Sequence, residues 1–334
     1  MSTTSKFLKN VKAHRESKKA KKFEGFLEEY LQILEEDPAI AALAHKRLYK
    51  QILGEGMITL DETDERCNKL FNGEAVKVYD YFDGQFFGME RPLEKVMRFL
   101  HSAAMRGEES RQVLLLLGPV GAGKSALIEH IKGALEACAP IYVLQGCPIR
   151  EEPLHLIPRS LRDDFLEMYG IQIEGDLCPI CRHTLINEYE GDYTKFPITQ
   201  SSFSVRGRKG VGVVPPMDPN TQDTSLLIGS EDISKLDLYP EDDPRVLSLN
   251  GAFNVGNRGI VEFVEVFKNE IEFLHTMITA TQEKNVPSPG KQAMIYFDGV
   301  IWLTATKQSG TNLSPSILTR LSSTVLYESI FPIA

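Results

Sequence analysis

No stretch of this 334-residue chain approaches the roughly 18 consecutive apolar residues that a membrane-spanning helix requires, and the amino-terminal segment lacks the apolar core of a signal peptide. Those absences predict a cytoplasmic protein with no membrane partner. Cysteine is scarce: five residues, an odd number in a long chain, fit a reducing compartment better than a disulfide framework. Positive charge is also in deficit. With 37 Lys and Arg against 46 Asp and Glu the net charge is −9, which argues against a protein that coats nucleic acid. The exception is the amino-terminal run Lys6, Lys9, Lys12, Arg15, Lys18, Lys19, Lys21 and Lys22, which reads as a solvated helix face or a docking surface for nucleic acid or an acidic partner. What the chain has is apolar content, 42%, enough to bury one large core or two smaller ones.

The most specific local pattern is Gly118-Pro119-Val120-Gly121-Ala122-Gly123-Lys124-Ser125. It follows the apolar run Val113 to Leu117 and precedes a helical segment, the strand-loop-helix context of the GxxxxGK[ST] phosphate loop. The chemistry explains the spacing. Glycines let successive backbone N–H groups turn toward phosphates, a lysine at position 124 reaches the β and γ phosphates, and the Ser125 hydroxyl can ligate Mg²⁺. ATP or GTP is the expected ligand, with GTP disfavoured because no guanine-selecting NKxD is present.

Apolar residues recur at helical spacing from Phe23 to Leu53, interrupted at Asp37-Pro38, so residues 1–75 read as a helical amino-terminal cap. Gly88, in Phe86 to Leu93, stands before a helix carrying Leu93, Val96, Met97 and Leu100 on one face. Beyond the phosphate loop, Ile141 to Leu144 reads as the next strand. Residues 146–223 are rich in turn formers and read as a large insertion. Ile260 to Val264 and Ala293 to Phe297 read as further strands, with a helix from Val266 to Thr281 between them. Strands alternating with helices predict an α/β fold: a P-loop NTPase domain over 76–300, its parallel sheet covered by helices on both faces, with nucleotide at the carboxyl ends of the strands.

A hydrolytic site also needs carboxylates near the Mg²⁺ and the attacking water. Asp298 closes the apolar run Met294 to Phe297, while Glu262 and Glu265 lie on the segment after Asn257-Arg258-Gly259. Ile228 to Ile233 together with Asn257 to Val266 is similar to the MoxR and magnesium-chelatase branch of AAA+ proteins, in which an NRG turn leads into the Walker B strand. By that resemblance the usual Asp falls on Val264 and the usual Glu on Glu265. Glu265 and Glu262 are then the preferred acids, and Asp298 would open the following sensor strand. An alternative stays open, in which both glutamates are exposed positions of an amphipathic segment. The Gly88 turn likewise resembles the adenine-side box of AAA+ ATPases.

Many short blocks in order extend the likeness: the phosphate loop, Gly146 to Ile149, Glu152 to Pro158, Leu161 to Phe165, Ile173 to Pro179, Gly210 to Pro216 with Asp218-Pro219, Ile228 to Lys235, Asp242 to Arg245, Asn257 to Phe263 and Thr281 to Glu283. Over about residues 20–300 the chain resembles the PrkA serine protein kinases of bacteria, large proteins with an amino-terminal AAA+ domain and a carboxyl-terminal kinase-like domain. The resemblance implies an ATP- and Mg²⁺-binding AAA+ module, an unidentified protein substrate, and a homo-oligomer as one form of assembly. The kinase-like region of that family lies beyond residue 334. A non-catalytic nucleotide-binding interaction module is the competing reading.

Cys178-Pro179-Ile180-Cys181 has zinc-knuckle spacing, with His183 two residues on. No second CxxC exists, so a structural zinc would need His183 and a fourth ligand such as Cys147, His155 or a symmetry mate. A redox pair and ordinary turn cysteines are the alternatives.

From Trp302 to Ala334 Ser, Thr and Leu dominate without clear period. The resemblance predicts a sensor strand ending in Asn, then Glu-Ala-Glu. Synonymous codons exist for Ala305 to Asn312 that, read in another frame, spell NEAEWNK, and the same shift from Thr319 permits NEAILDRIVRIDFPYC. Residues 301–334 therefore read as an out-of-frame tail that replaces the sensor Asn and the helical lid.

Overall fold

The computed structural model describes residues 7–9, 23–71, 73–216, 223–268, 271–291, 293–306 and 325–329. Of the amino-terminal cationic run only Lys9 falls among them, and most of the tail from 307 onward lies outside them.

After a short strand, β1 (Glu24–Gly25), come helices α1 (Leu27–Glu36) and α2 (Ala44–Leu53). The break between them is chemical: Asp37 accepts a hydrogen bond from the N–H of Ala39 at 3.0 Å, and Pro38 opens a 3-10 turn. β2 (Met57–Leu60) and β3 (Val76–Tyr79) pair antiparallel around α3 (Glu65–Phe71). α4 (Glu90–Ala104) follows, then β4 (Val113–Gly118), α5 (Lys124–Ala137) and β5 (Ile141–Leu144). The middle of the chain carries α6 (Arg162–Tyr169), α7 (Pro179–Glu188), β6 (Ile198–Ser201) and β7 (Val211–Val214). Then come α8 (Ser225–Ile228), β8 (Ser230–Glu231), β9 (Leu247–Ser248), α9 (Ala252–Gly256) and β10 (Ile260–Phe263). The last elements are α10 (Ile271–Gln282), β11 (Asn285–Pro287), β12 (Met294–Tyr296), β13 (Val300–Thr306) and β14 (Val325–Ser329).

Among the described residues the central sheet has five strands in the order β14-β4-β13-β10-β7, all parallel. Alternation divides its side chains between two cores. Leu114, Leu116, Val211, Ile260, Val300 and Trp302 pack on one face with residues of α2, α4 and α5. Val113, Leu115, Leu117, Val261, Phe263, Ile301, Leu303 and Ala305 pack on the other with Phe253, Met277 and Ala280. Both faces being covered, the strands read as continuous apolar runs instead of alternating ones. This is the α/β architecture with helices on both faces.

A third core lies beside the sheet, where β5, β6, α1, α6 and α7 bury Tyr30, Leu34, Leu144, Phe165, Phe196 and Ile198. Four expectations are corrected. β5 is not the next strand of the parallel sheet but pairs antiparallel with β6 in the order β1-β6-β5. The Ala293 to Phe297 strand exists as β12, paired among the described residues only with β11, antiparallel. Short apolar runs do not tell a central from a peripheral strand. The span 146–223 is not wholly an insertion either, because it contains β7, the edge of the central sheet. Finally, Trp302 to Thr306 are not aperiodic tail. They complete β13, buried between β4 and β10, and a strand covered on both faces has no polar alternation to display.

Candidate nucleotide site at the carboxyl ends of the central strands

The loop from Gly118 to Ser125 leaves the carboxyl end of β4 and turns into α5. Gly121 and Gly123 both have φ of 81°, backbone that side-chain-bearing residues adopt at a cost, and Gly123 is the residue before the first helical turn. The loop is open to solvent, with Val120 85% exposed and Ser125 exposed, whereas Lys124 is buried beneath it. The Lys124 ammonium donates to the carbonyls of Gly118 and Pro119, each at 2.8 Å. Burial lowers its pKa below the usual lysine value, and the carboxylate of Glu265 pushes the other way.

Glu265 reaches this place from the end of β10, in a left-handed turn with φ of 50°. Its N–H donates to the Thr304 hydroxyl at 3.1 Å, and its carboxylate accepts from the Thr306 N–H at 3.1 Å and from the Thr306 hydroxyl. Thr306 is paired with Gly118 across β13 and β4. Gly118, Thr306 and Glu265 therefore form a row at one edge of the sheet. Sequence reasoning misses the two threonines because they end a strand that reads as tail.

Glu262 does not join this row. It is level with Trp302 and hence with Leu114, four residues short of Gly118, or about 13 Å down the strand. On the same face as Ile260, it points at α5, where the Lys132 ammonium meets it at 2.5 Å, both side chains being buried. It is neither an exposed amphipathic position nor part of the row beside Gly118.

Asp298 is farther still. It precedes the amino end of β13, eight residues and about 25 Å from Thr306. Its carboxylate accepts from the Ala44 N–H at 3.1 and 3.0 Å, and its own N–H donates to Asn257 at 3.0 Å. Burial pushes its carboxyl up, against the pull of Arg47, the Ala44 N–H, Lys284 and Arg258. It lines a cavity of about 750 Å³ with His45, Arg106 and Lys284, remote from the phosphate loop. The Asn257-Arg258-Gly259 turn is at this end too, with Arg258 bonded to Glu152 and to the Tyr142 carbonyl.

The Gly88 turn packs near α5. Tyr81, Phe82 and Phe86 surround His130, and the Tyr81 hydroxyl donates to the His130 carbonyl at 2.7 Å.

The cysteine pair is not isolated. One ligand atom each from Cys147, Glu151, Cys178 and Cys181 lie within 4.8 Å of one another. Burial would raise the Cys147 thiol, but hydrogen bonds from Cys178, Cys181 and the backbone outweigh it and hold the thiol well below the usual range. His183 is not in the group; its Nε2 faces Asp243 at 4.0 Å. It sits two residues past Cys181 on α7, about 200° round the helix, on the side that meets Asp243.

A parallel sheet with a glycine loop, a buried lysine and a carboxylate gathered at its carboxyl edge defines a P-loop nucleotide-binding domain of the α/β class. The model of the PrkA AAA domain family matches residues 25–310, and the chain belongs to that family. It is 38% identical over 301 residues to the ATP-dependent protease PrkA of Bacillus subtilis (strain 168), covering 88% of this chain and 46% of that protein. It is 35% identical over 296 residues to the serine/threonine kinase YeaG of Escherichia coli (strain K12), covering 86% and 46%. The chain thus spans about half the length of these relatives. Among solved structures it is similar to the cryo-EM complex of magnesium chelatase subunits BchI and BchD, at 18% identity, 69% and 56% coverage and a TM-score of 0.42. No helix among the described residues is long and apolar enough to cross a membrane.

Proposed function

We propose that this chain is an ATP-binding AAA domain whose hydrolysis of ATP, in the intact protein, is coupled to protein phosphorylation or remodelling. The observation that carries the reading is the row Gly118, Thr306 and Glu265 beside Lys124. Backbone donors on an open loop, an ammonium, a hydroxyl and a carboxylate are the donor set that a magnesium-bound triphosphate calls for. Lys124 would hold the β and γ phosphates, Ser125 the Mg²⁺, and Glu265 the attacking water; the ion would neutralise charge developing on the phosphates. The relatives' names divide between protease and kinase, so neither activity is favoured by them. An acidic, membrane-free domain of this kind would act in the cytoplasm on a protein substrate, alone or as a homo-oligomer.

A second reading, a nucleotide-binding module without turnover, is favoured by two observations. Val264 stands where the resemblance expects a Walker B Asp, and β13 ends in Thr306, whose hydroxyl already engages Glu265. Single-turnover assays with γ-labelled ATP separate the two: phosphate release above background supports the enzyme, tight binding without release the module. The out-of-frame reading of the tail would account for the module, and sequencing the DNA around codon 301 tests it.

A further inference from the structure

Cys147, Glu151, Cys178 and Cys181 come from two stretches of chain that the fold brings together. Cys147 lies in the turn after β5, and Glu151 follows four residues on. Cys178 is the residue before the first turn of α7, and Cys181 is within that turn. A zinc ion with Zn–S bonds of ~2.3 Å has ligand-to-ligand edges of about 3.8 Å. The Cys147 sulfur lies 3.9 Å from Glu151 Oε2, and the whole set falls within 4.8 Å.

Two further features prepare the group for a cation. Backbone N–H groups aim at sulfur: Glu151 N–H at Cys147 and Cys181 N–H at Cys178, each at 3.4 Å. Such donors stabilise thiolates, and Cys178 also stands at a helix amino terminus, where negative charge is favoured. The carboxylate is divided between two tasks. Glu151 Oε1 is held by the Cys178 N–H at 2.8 Å and by His155 Nδ1 at 3.1 Å, which leaves Oε2 turned to the thiols. That is the outer support metal-binding carboxylates use.

The surroundings are apolar. Cys178, Cys181 and Glu151 are each at most 2% exposed, within the core that holds Ile149, Leu154 and Leu185. Cys178, Cys181 and the Glu151 carboxylate are buried and Cys147 is half-buried, so in their ionised forms the four would need a cation to balance them. Three soft sulfurs and one oxygen in compact arrangement suit zinc among common metals.

We propose that Cys147, Glu151, Cys178 and Cys181 bind one structural zinc ion, which fastens the start of α7 to the turn after β5. His183 takes no part. Binding displaces the thiol protons to solvent and leaves the metal with four ligands, closed to substrate. The site is independent of the nucleotide reading, since its ligands touch none of the phosphate-loop residues.

The full chain, purified reduced after growth with zinc and dialysed, is expected to contain about one zinc per molecule. Cys181→Ser should lose it and His183→Ala keep it. Replacement by Co²⁺ should give a sulfur-to-cobalt charge-transfer band and strong tetrahedral visible bands. Because the cysteine variant could fail to fold, the unaltered protein is also treated with a zinc chelator; melting should fall by several degrees. Reduced, folded, metal-replete protein without zinc would overturn the proposal. So would zinc lost on His183→Ala, or a cobalt spectrum without sulfur charge transfer.

Discussion

The two ends of the central sheet carry similar residues and treat them oppositely. At the carboxyl end, Lys124 and Glu265 stand under an exposed glycine loop, with Ser125 open to solvent. At the amino end Asp298, Asn257 and Arg258 are buried and bonded to one another's backbone or to Ala44, Ile149, Tyr142 and Glu152. Both ends offer an acid beside an apolar strand. What separates them is which end of a parallel sheet the acid occupies. At the carboxyl end the chain leaves each strand into loops that can face a ligand. At the amino end of this domain the polar groups serve to dock α2 and the neighbouring core, and they are already spoken for. Glu262, between the ends, shows a third outcome: mid-strand, an acid must find an internal cation, and it finds Lys132.

If this division is right, the largest effect should come from the buried pair and leave the site untouched. Lys132→Met should destabilise the fold by about 3–5 kcal/mol, since it strands a buried carboxylate, and Glu262→Leu added to it should recover most of that loss. Urea denaturation measures both, and ATP affinity of the folded fraction should not change. Equal loss in the single and double variants would mean that the pair is not the source.

At the other end Lys124→Ala should weaken ATP binding by about 10²-fold or more with little loss of stability, as a charge-assisted contact to phosphate disappears. Titration with a fluorescent ATP analogue reads this directly. An unchanged affinity in a folded variant would remove the phosphate-loop assignment.

The sharpest contrast sets Glu265→Gln against Asp298→Asn. The first should leave ATP affinity within about twofold and cut any hydrolysis by about 10²-fold. The second should alter neither and act on stability alone. Loss of Mg²⁺-dependent binding in Asp298→Asn, with Glu265→Gln silent, would reverse the two ends.

The smallest effect is a pH dependence from the amino end. Burial, with a contribution from the Lys284 charge, holds the His45 imidazole well below its usual pKa, and its Nε2 has no hydrogen-bond partner among the described residues. A depressed folded-state value means that the unfolded chain takes up the proton first. The contribution is therefore fully present above about pH 6.5 and is lost as pH falls, by up to ~1.4 kcal/mol per unit. Stability measured between about pH 6.5 and 5.5 should decline less steeply in His45→Leu. Identical slopes would show that His45 does not set the decline.

Legibility follows locality. The phosphate loop can be read because its eight residues are contiguous and its chemistry is local. Glu265 is reached only through a family resemblance, because nothing near it distinguishes it from Glu262; the pleat does so, turning one onto α5 and carrying the other past the strand end. The half-site at Cys178 and Cys181 is visible as spacing. Glu151 is not, since a lone glutamate after a turn has no signature, and His183 is nearer in sequence but faces Asp243. Likewise β7 hides in a turn-rich span because four residues give too little period to read.

The sequence by itself determined the α/β class, the glycine loop after β4 and the two helices between Leu27 and Leu53, because each rests on contacts within one or two turns or on apolar runs of strand length. Tertiary structure alone decided which strands share the central sheet, which acid stands beside the phosphate loop, and which residues surround the paired cysteines. Those outcomes depend on registers such as Thr306 against Gly118 and on contacts between residues far apart in the chain. Each is fixed by burying two faces of one sheet at once, a condition that no single segment can express.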